Sequence, residues 1–156
     1  YYEQIITHCL NRIEYFLKQG YRPEDILILA RIVKPNMIGR ILLDFARARG
    51  IPLSTEPNNP HKIHLMSVHG SKGLQARVVF IFDVVKGRYG FPCELENPDI
   101  YEPAINGPRR SREEEERRIF YVAATRAKED LIMYTQKNSM SDFLREIREH
   151  IVVEDI

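Results

Sequence analysis

The sequence has few cysteines, no long apolar run and almost no net charge. Its two cysteines, Cys9 and Cys93, are far apart and fit no zinc-ligand spacing, so we expect a reduced cytoplasmic protein without zinc. No apolar run approaches the roughly 20 residues of a membrane-spanning helix, and we therefore expect no membrane partner. The formal net charge of +1 argues against a broadly basic surface that binds nucleic acid but is compatible with a local positive groove.

A phosphate-binding loop is also missing. No Gly-x-x-x-x-Gly-Lys-Ser/Thr motif occurs, and no buried strand ends in Asp-Glu. The chain therefore lacks the groups that cradle the β-phosphate of ATP and hold its magnesium ion, and we expect it to be inactive as an ATPase on its own. Because it begins at Tyr1 rather than at methionine, we expect it to be a piece of a longer protein.

Apolar residues recur with two different periods along the chain. Helical spacing predicts helices at 1–18, 37–49, 111–128 and 141–150. Short apolar runs predict strands at 26–30, 51–53, 78–82, 130–134 and 151–153, with a further strand ending near residue 66. This alternation is typical of a parallel sheet with helices on both faces. We therefore expect a single α/β domain over residues 1–156, with three layers (α/β/α) and a mainly parallel sheet.

A polar loop with two glycines lies between two of the predicted strands. It contains Ser67, His69, Ser71 and Lys72, whose hydroxyl, imidazole and ammonium groups suit a phosphate-bearing partner. A cation and an imidazole have little structural purpose in such a loop, which favours a functional role. The loop and Arg31 both follow the carboxyl end of a predicted strand, where parallel sheets bind ligands.

Two arginines could bring positive charge to a phosphate. Arg126, near the end of a predicted helix, could act as an arginine finger, a role worth roughly 10³–10⁵ in rate. Satisfying the terminal carbonyls of that helix accounts for it about equally well. Arg31 taken alone is better interpreted as a residue that ends a strand. The acidic run 113–116 is better interpreted as a solvated helix start than as a catalytic carboxylate pair.

Several segments, in the right order, resemble motifs of UvrD/Rep-type superfamily 1 DNA helicases. Residues 67–75, Ser-Val-His-Gly-Ser-Lys-Gly-Leu-Gln, resemble helicase motif V. Residues 114–128 are similar to motif VI and contain its Tyr-Val-Ala-Ala-Thr-Arg-Ala core, and residues 25–31, Asp-Ile-Leu-Ile-Leu-Ala-Arg, resemble motif IV. Residues 141–147 resemble the helix that trails motif VI. The resemblance implies the second, C-terminal RecA-like motor domain of an ATP-dependent DNA helicase.

The resemblance also implies a nucleotide site that is shared with another domain. Arg126 and Arg31 would reach the γ-phosphate of ATP across an interdomain cleft. Gln75 would hold the ribose, although the family usually has a glutamate there. An N-terminal RecA-like domain of the same protein would supply the phosphate-binding loop and hold Mg²⁺.

The same resemblance implies contacts with single-stranded DNA. Ser67 and His69 would contact the DNA backbone, and Lys72 would link that contact to the nucleotide cleft. Two further features, besides Gln75, depart from the family: Ala30 replaces a tyrosine that stacks on adenine, and a regulatory insertion is absent near 54–62. The alternative is therefore a degenerate helicase-like module that binds nucleic acid or protein without motor activity.

Overall fold

The fold is built on a five-stranded sheet in which every pairing is parallel. The computed structural model describes residues 2–33, 37–57, 59–94 and 112–156. The strands, which lie in the order β2-β3-β1-β4-β5, are β1 (Ile26–Ala30), β2 (Leu53–Ser54), β3 (Ile63–Ser67), β4 (Ala76–Ile81) and β5 (Ala127–Met133). The predicted α/β class with a parallel sheet is confirmed.

Helices cover both faces of this sheet. They are α1 (Tyr2–Lys18), α2 (Met37–Ala48), α3 (Arg112–Ala124) and α4 (Asp142–Glu146). On one face, Phe80 of β4 belongs to a core with residues of α1 and α2. Its neighbour Val79 points to the other face, where it belongs to a core with Phe120 of α3 and Phe143 of α4. The predicted three layers are therefore present. Within the described part of the chain, no helix is long and apolar enough to cross a bilayer.

The predicted boundary between α3 and β5 is wrong. The sequence predicts a helix that continues to Lys128, but α3 ends at Ala124, and β5 begins at Ala127 rather than at residue 130. Ala127 pairs with Ala76 at the start of β4, so the backbone must already be extended there. Exposed charged residues open β5, and they hide the apolar signal by which a strand is recognised.

The bounds of several other elements also differ from those predicted. The second strand is Leu53–Ser54 rather than 51–53. The last helix is only Asp142–Glu146, followed by a 3-10 turn at Arg148–His150, and residues 151–153 form no strand. Ser141 caps the last helix, because its Oγ accepts a hydrogen bond from the Phe143 amide at 3.3 Å. Residue 111, where the third helix is predicted to begin, lies outside the described residues.

All strands point the same way, so the sheet has two chemically different edges. The carboxyl edge contains the ends of β1, β3 and β4, and the amino edge contains the starts of β4 and β5. Residues 68–75 connect the end of β3 to the start of β4 and therefore run from the carboxyl edge to the amino edge. The helix α3 runs in the same direction, because it precedes the start of β5.

Candidate functional site

The structure places Arg31 and Arg126 at opposite edges of the sheet. Arg31 follows β1, whose Leu29 pairs with the last residue of β4, whereas Arg126 precedes Ala127, which pairs with the first residue of β4. β4 is six residues long. At about 3.3 Å per residue, the two backbone positions are separated by roughly 20 Å. The expected convergence of both arginines on one phosphate is therefore not found in this structure.

At the carboxyl edge, Arg31 lies in a buried ion pair. Its Nη2 donates to Oε1 of Glu116 at 2.7 Å and its Nε donates to Oε2 at 3.1 Å, an arrangement with two parallel hydrogen bonds. The two side chains are 1% and 0% exposed. The Cys93 amide donates to the same carboxylate at 3.0 Å. Glu116 thus links the end of β1, the loop after β4 and α3.

The predicted DNA-contacting residues Ser67 and His69 also lie at this edge. Ser67 ends β3, and its Oγ accepts a hydrogen bond from the Gly70 amide at 3.2 Å. His69 opens the following 3-10 turn, and Nη1 of Arg31 lies 3.4 Å from its Nδ1. Arg31 therefore lies beside the predicted DNA contacts Ser67 and His69.

The electrostatic surroundings of His69 favour its neutral form. Partial burial lowers the pKa of the His69 imidazole, and the nearby Arg31 guanidinium lowers it further. Glu116 and Glu115 oppose this effect, while Arg118 adds to it. Because the pKa lies below its usual value near 6.5, the imidazole is mainly neutral at neutral pH and can donate one hydrogen bond.

At the amino edge, Arg126 lies beside Gln75. Nη1 of Arg126 donates to the Leu74 carbonyl at 3.1 Å, and the Arg126 carbonyl accepts from the Ala76 amide at 3.0 Å. Nε of Arg126 is buried, and no residue of the described chain gives it a hydrogen-bond partner. Leu74 and Gln75 are exposed. The structure thus brings together two of the three residues that were predicted to bind the nucleotide.

The connection between the two edges contains Lys72. Its side chain is exposed, and no ion pair is found for it within the described residues. The preceding Ser71 is fully buried, and its hydroxyl donates to the Val68 carbonyl at 2.6 Å. This bond fixes the turn from the inside and leaves Lys72 in solvent between the predicted DNA contacts and the predicted nucleotide contacts.

Glu116 is the site residue that the sequence-based interpretation missed. The interpretation of the acidic run 113–116 as a solvated helix start is wrong for Glu116, because its side chain is 0% exposed. The spacing of apolar residues along α3 nevertheless indicates that Glu116 is buried. Glu116 precedes Ile119, Phe120 and Ala123 by three, four and seven positions, which places it on the buried face of α3.

A metal site would need several ligands close together. Within the described residues, no group of three or more His, Cys, Asp or Glu side chains could hold a metal ion. Both cysteines are free and buried. Burial raises the pKa of the Cys9 thiol, which makes it unreactive as a ligand or nucleophile.

Comparisons with known proteins identify the family to which this chain belongs. A family model described as the UvrD-like helicase C-terminal domain matches residues 40–138. DNA helicase IV of Escherichia coli is 33% identical over 127 residues, which is 80% of this chain and 17% of that protein. ATP-dependent DNA helicase PcrA of Staphylococcus epidermidis is 32% identical over 107 residues, 62% of this chain and 13% of that protein. The chain thus spans less than a fifth of the length of these relatives.

A solved structure has the same fold. It is described as the C-terminal domain of a possible DNA helicase from Lactobacillus plantarum, and it superimposes with a TM-score of 0.57 at 14% identity. The match covers 89% of this chain and 70% of that structure. The fold, the motif residues and the family model lead to one conclusion: the chain belongs to the UvrD-like helicase C-terminal domain family.

Proposed function

We propose that this chain is the second motor domain of an ATP-dependent DNA helicase, and that Arg126 brings positive charge to ATP held by a separate N-terminal RecA-like domain. The observation that carries this proposal is the uncompensated charge of Arg126. Among the described residues its guanidinium has no carboxylate partner, whereas Arg31 is neutralised by Glu116. A buried Nε without a partner is unfavourable, and a turn of the side chain toward an anion would remove that penalty.

The neighbouring residues support a nucleotide at the amino edge. Gln75 is exposed beside Arg126 and can exchange hydrogen bonds with the hydroxyl groups of a ribose. Magnesium would be held with the phosphates by the N-terminal domain. A direct contact between Arg31 and the γ-phosphate stays a prediction, because it requires the guanidinium to leave Glu116.

The carboxyl edge would bind single-stranded DNA. Ser67 and His69 offer hydrogen-bond donors, and the exposed Lys72 offers a positive charge on the segment that leads to Arg126. Such groups recognise phosphate and sugar rather than base edges, so binding would be largely independent of sequence and sensitive to salt. Closure of the two motor domains on ATP would move this edge relative to the DNA.

The test is the DNA-stimulated ATPase rate of the complete protein that carries this chain. Arg126→Ala should lower the rate at saturating ATP by about 10³-fold or more, as for other arginine fingers. Arg118→Ala is the matched control, because Arg118 lies on α3, the helix that precedes Arg126, and forms an exposed ion pair with Glu115. A rate within a few-fold of the parent for Arg126→Ala would refute the role of Arg126. If the parent binds single-stranded DNA but never hydrolyses ATP, the module without motor activity is correct.

A further inference from the structure

The contact between Arg31 and His69 restricts where the imidazole can carry its proton. A guanidinium has only donors, so Nδ1 of His69, which lies 3.4 Å from Nη1 of Arg31, must be the acceptor. A neutral imidazole whose Nδ1 accepts has its proton on Nε2. No described residue is hydrogen-bonded to Nε2, and His69 is exposed, so this N–H is available to a ligand.

The position of Arg31 is in turn set by Glu116. The carboxylate holds Nε and Nη2 of Arg31 in the plane of the guanidinium, which leaves Nη1 directed at His69. The Cys93 amide donates to Oε2 and fixes the carboxylate from a second side. Glu116 is itself held by the helix α3, whose buried face packs on the sheet through Ile119 and Phe120.

We propose that Glu116 is a positioning residue for His69: by holding Arg31 against Nδ1, it keeps the imidazole proton on Nε2, where the ring donates to a phosphate oxygen of single-stranded DNA. The inference rests on the proposed function, because the ligand is the DNA proposed for the carboxyl edge. It also gives α3 a role at both edges. The helix positions His69 through Glu116 near its start, and the chain reaches Arg126 directly after its end.

The charges around His69 are consistent with this role. Arg31, Glu116, Glu115 and Arg118 are the charged groups that influence the ring. Arg31 and burial both disfavour a second proton on the imidazole, so the ring keeps a single, directed donor at neutral pH. Such a donor suits sequence-independent binding, because a phosphate oxygen is present at every nucleotide.

The first measurement reports the proton position directly. In the wild-type chain, the imidazole nitrogen chemical shifts of His69 should show the Nε2–H tautomer. In the double variant Arg31→Met/Glu116→Leu, which removes both charges together, the shifts should move toward a mixture of tautomers. Glu113→Gln, an exposed substitution on the same helix, is the control and should leave them unchanged. Observation of the Nδ1–H tautomer in the wild type would overturn the proposal.

The second measurement is a double-mutant cycle on DNA binding. Affinity for a fluorescein-labelled oligothymidylate is measured by anisotropy at about pH 8, where the imidazole is neutral in every variant. Arg31→Met/Glu116→Leu should weaken binding roughly two- to tenfold, the value of one hydrogen bond. In a His69→Gln background the same two substitutions should have no further effect.

The outcomes separate this inference from the proposed function. An equal loss of affinity with and without His69→Gln would overturn the positioning role, because the substitutions would then act on the fold. If the wild type does not bind the oligonucleotide but its nitrogen shifts respond as expected, the proposed DNA contact is wrong, while the positioning of His69 by Glu116 is supported.

Discussion

Replacing Glu116 with leucine should destabilise the domain strongly, and the structure allows the size of the effect to be worked out. The substitution removes the carboxylate that neutralises Arg31, whose side chain is 1% exposed. Leaving a buried charge without its partner costs about 3–5 kcal/mol. The Cys93 amide also loses its acceptor, which costs about 1–3 kcal/mol when the group is buried.

The double variant Arg31→Met/Glu116→Leu separates these two contributions. It removes the buried charge altogether, so the penalty of about 1–3 kcal/mol at the Cys93 amide should remain without the cost of an unpaired buried charge. The double variant should therefore be more stable than Glu116→Leu by about 3–5 kcal/mol. For a chain of this size, that difference corresponds to roughly 6–20 °C in melting temperature.

The assay is urea unfolding followed by circular dichroism, with Glu113→Leu as the matched control. Glu113 lies three positions earlier on α3, and its ion pair with Arg117 is exposed. Removing such a pair should change the free energy of unfolding by less than about 1 kcal/mol. The reasoning is refuted if Glu116→Leu behaves like Glu113→Leu, or if the double variant is no more stable than Glu116→Leu.

Two further predictions concern pH and a tight turn. Burial lowers the pKa of His8 and of His69, so the unfolded chain binds more protons, and stability should fall as the pH drops from about 7 through the free imidazole value near 6.5. The double variant His8→Gln/His69→Gln should flatten the melting temperature across that range, and an unchanged slope would contradict the prediction. Gly90→Ala should destabilise by about 1–3 kcal/mol or more, because the new Cβ would lie 1.9 Å from the Val85 carbonyl oxygen. Gly70→Ala, whose Cβ would meet only side-chain atoms and none nearer than 3.4 Å, should melt close to the wild type. Equal melting temperatures for both variants would be evidence against the clash.

The class of fold could be predicted because the central strands are buried on both faces. β1 consists of five consecutive apolar residues, all buried, and such a run between two helical segments is typical of a strand in the middle of a parallel sheet. β5 was harder to place. It lies at the side of the sheet, its first half is charged and exposed, and its sequence therefore lacks the apolar run that identified β1.

The expectation that Arg31 and Arg126 converge on one phosphate comes from the family resemblance, and the position of β5 explains why they lie apart. In a parallel sheet, a residue that follows a strand and a residue that directly precedes one lie at opposite edges. With β5 placed at residue 130, Arg126 belonged to a helix and its edge was undefined. With β5 starting at Ala127, the separation follows from topology. The pairing of Arg31 with Glu116 is a contact across 85 positions, which local periodicity cannot predict.

The two outermost strands also decide how copies of the domain behave toward one another. β2 is two residues long and offers little backbone for a further strand. The first half of β5 contains the exposed residues Lys128, Glu129 and Asp130, and pairing with an incoming strand would have to desolvate these charges. Pairing of the outer strands of two molecules, the usual route to strand-swapped dimers and fibrils, is therefore disfavoured at both β2 and β5. We expect the domain to resist this kind of association at high concentration.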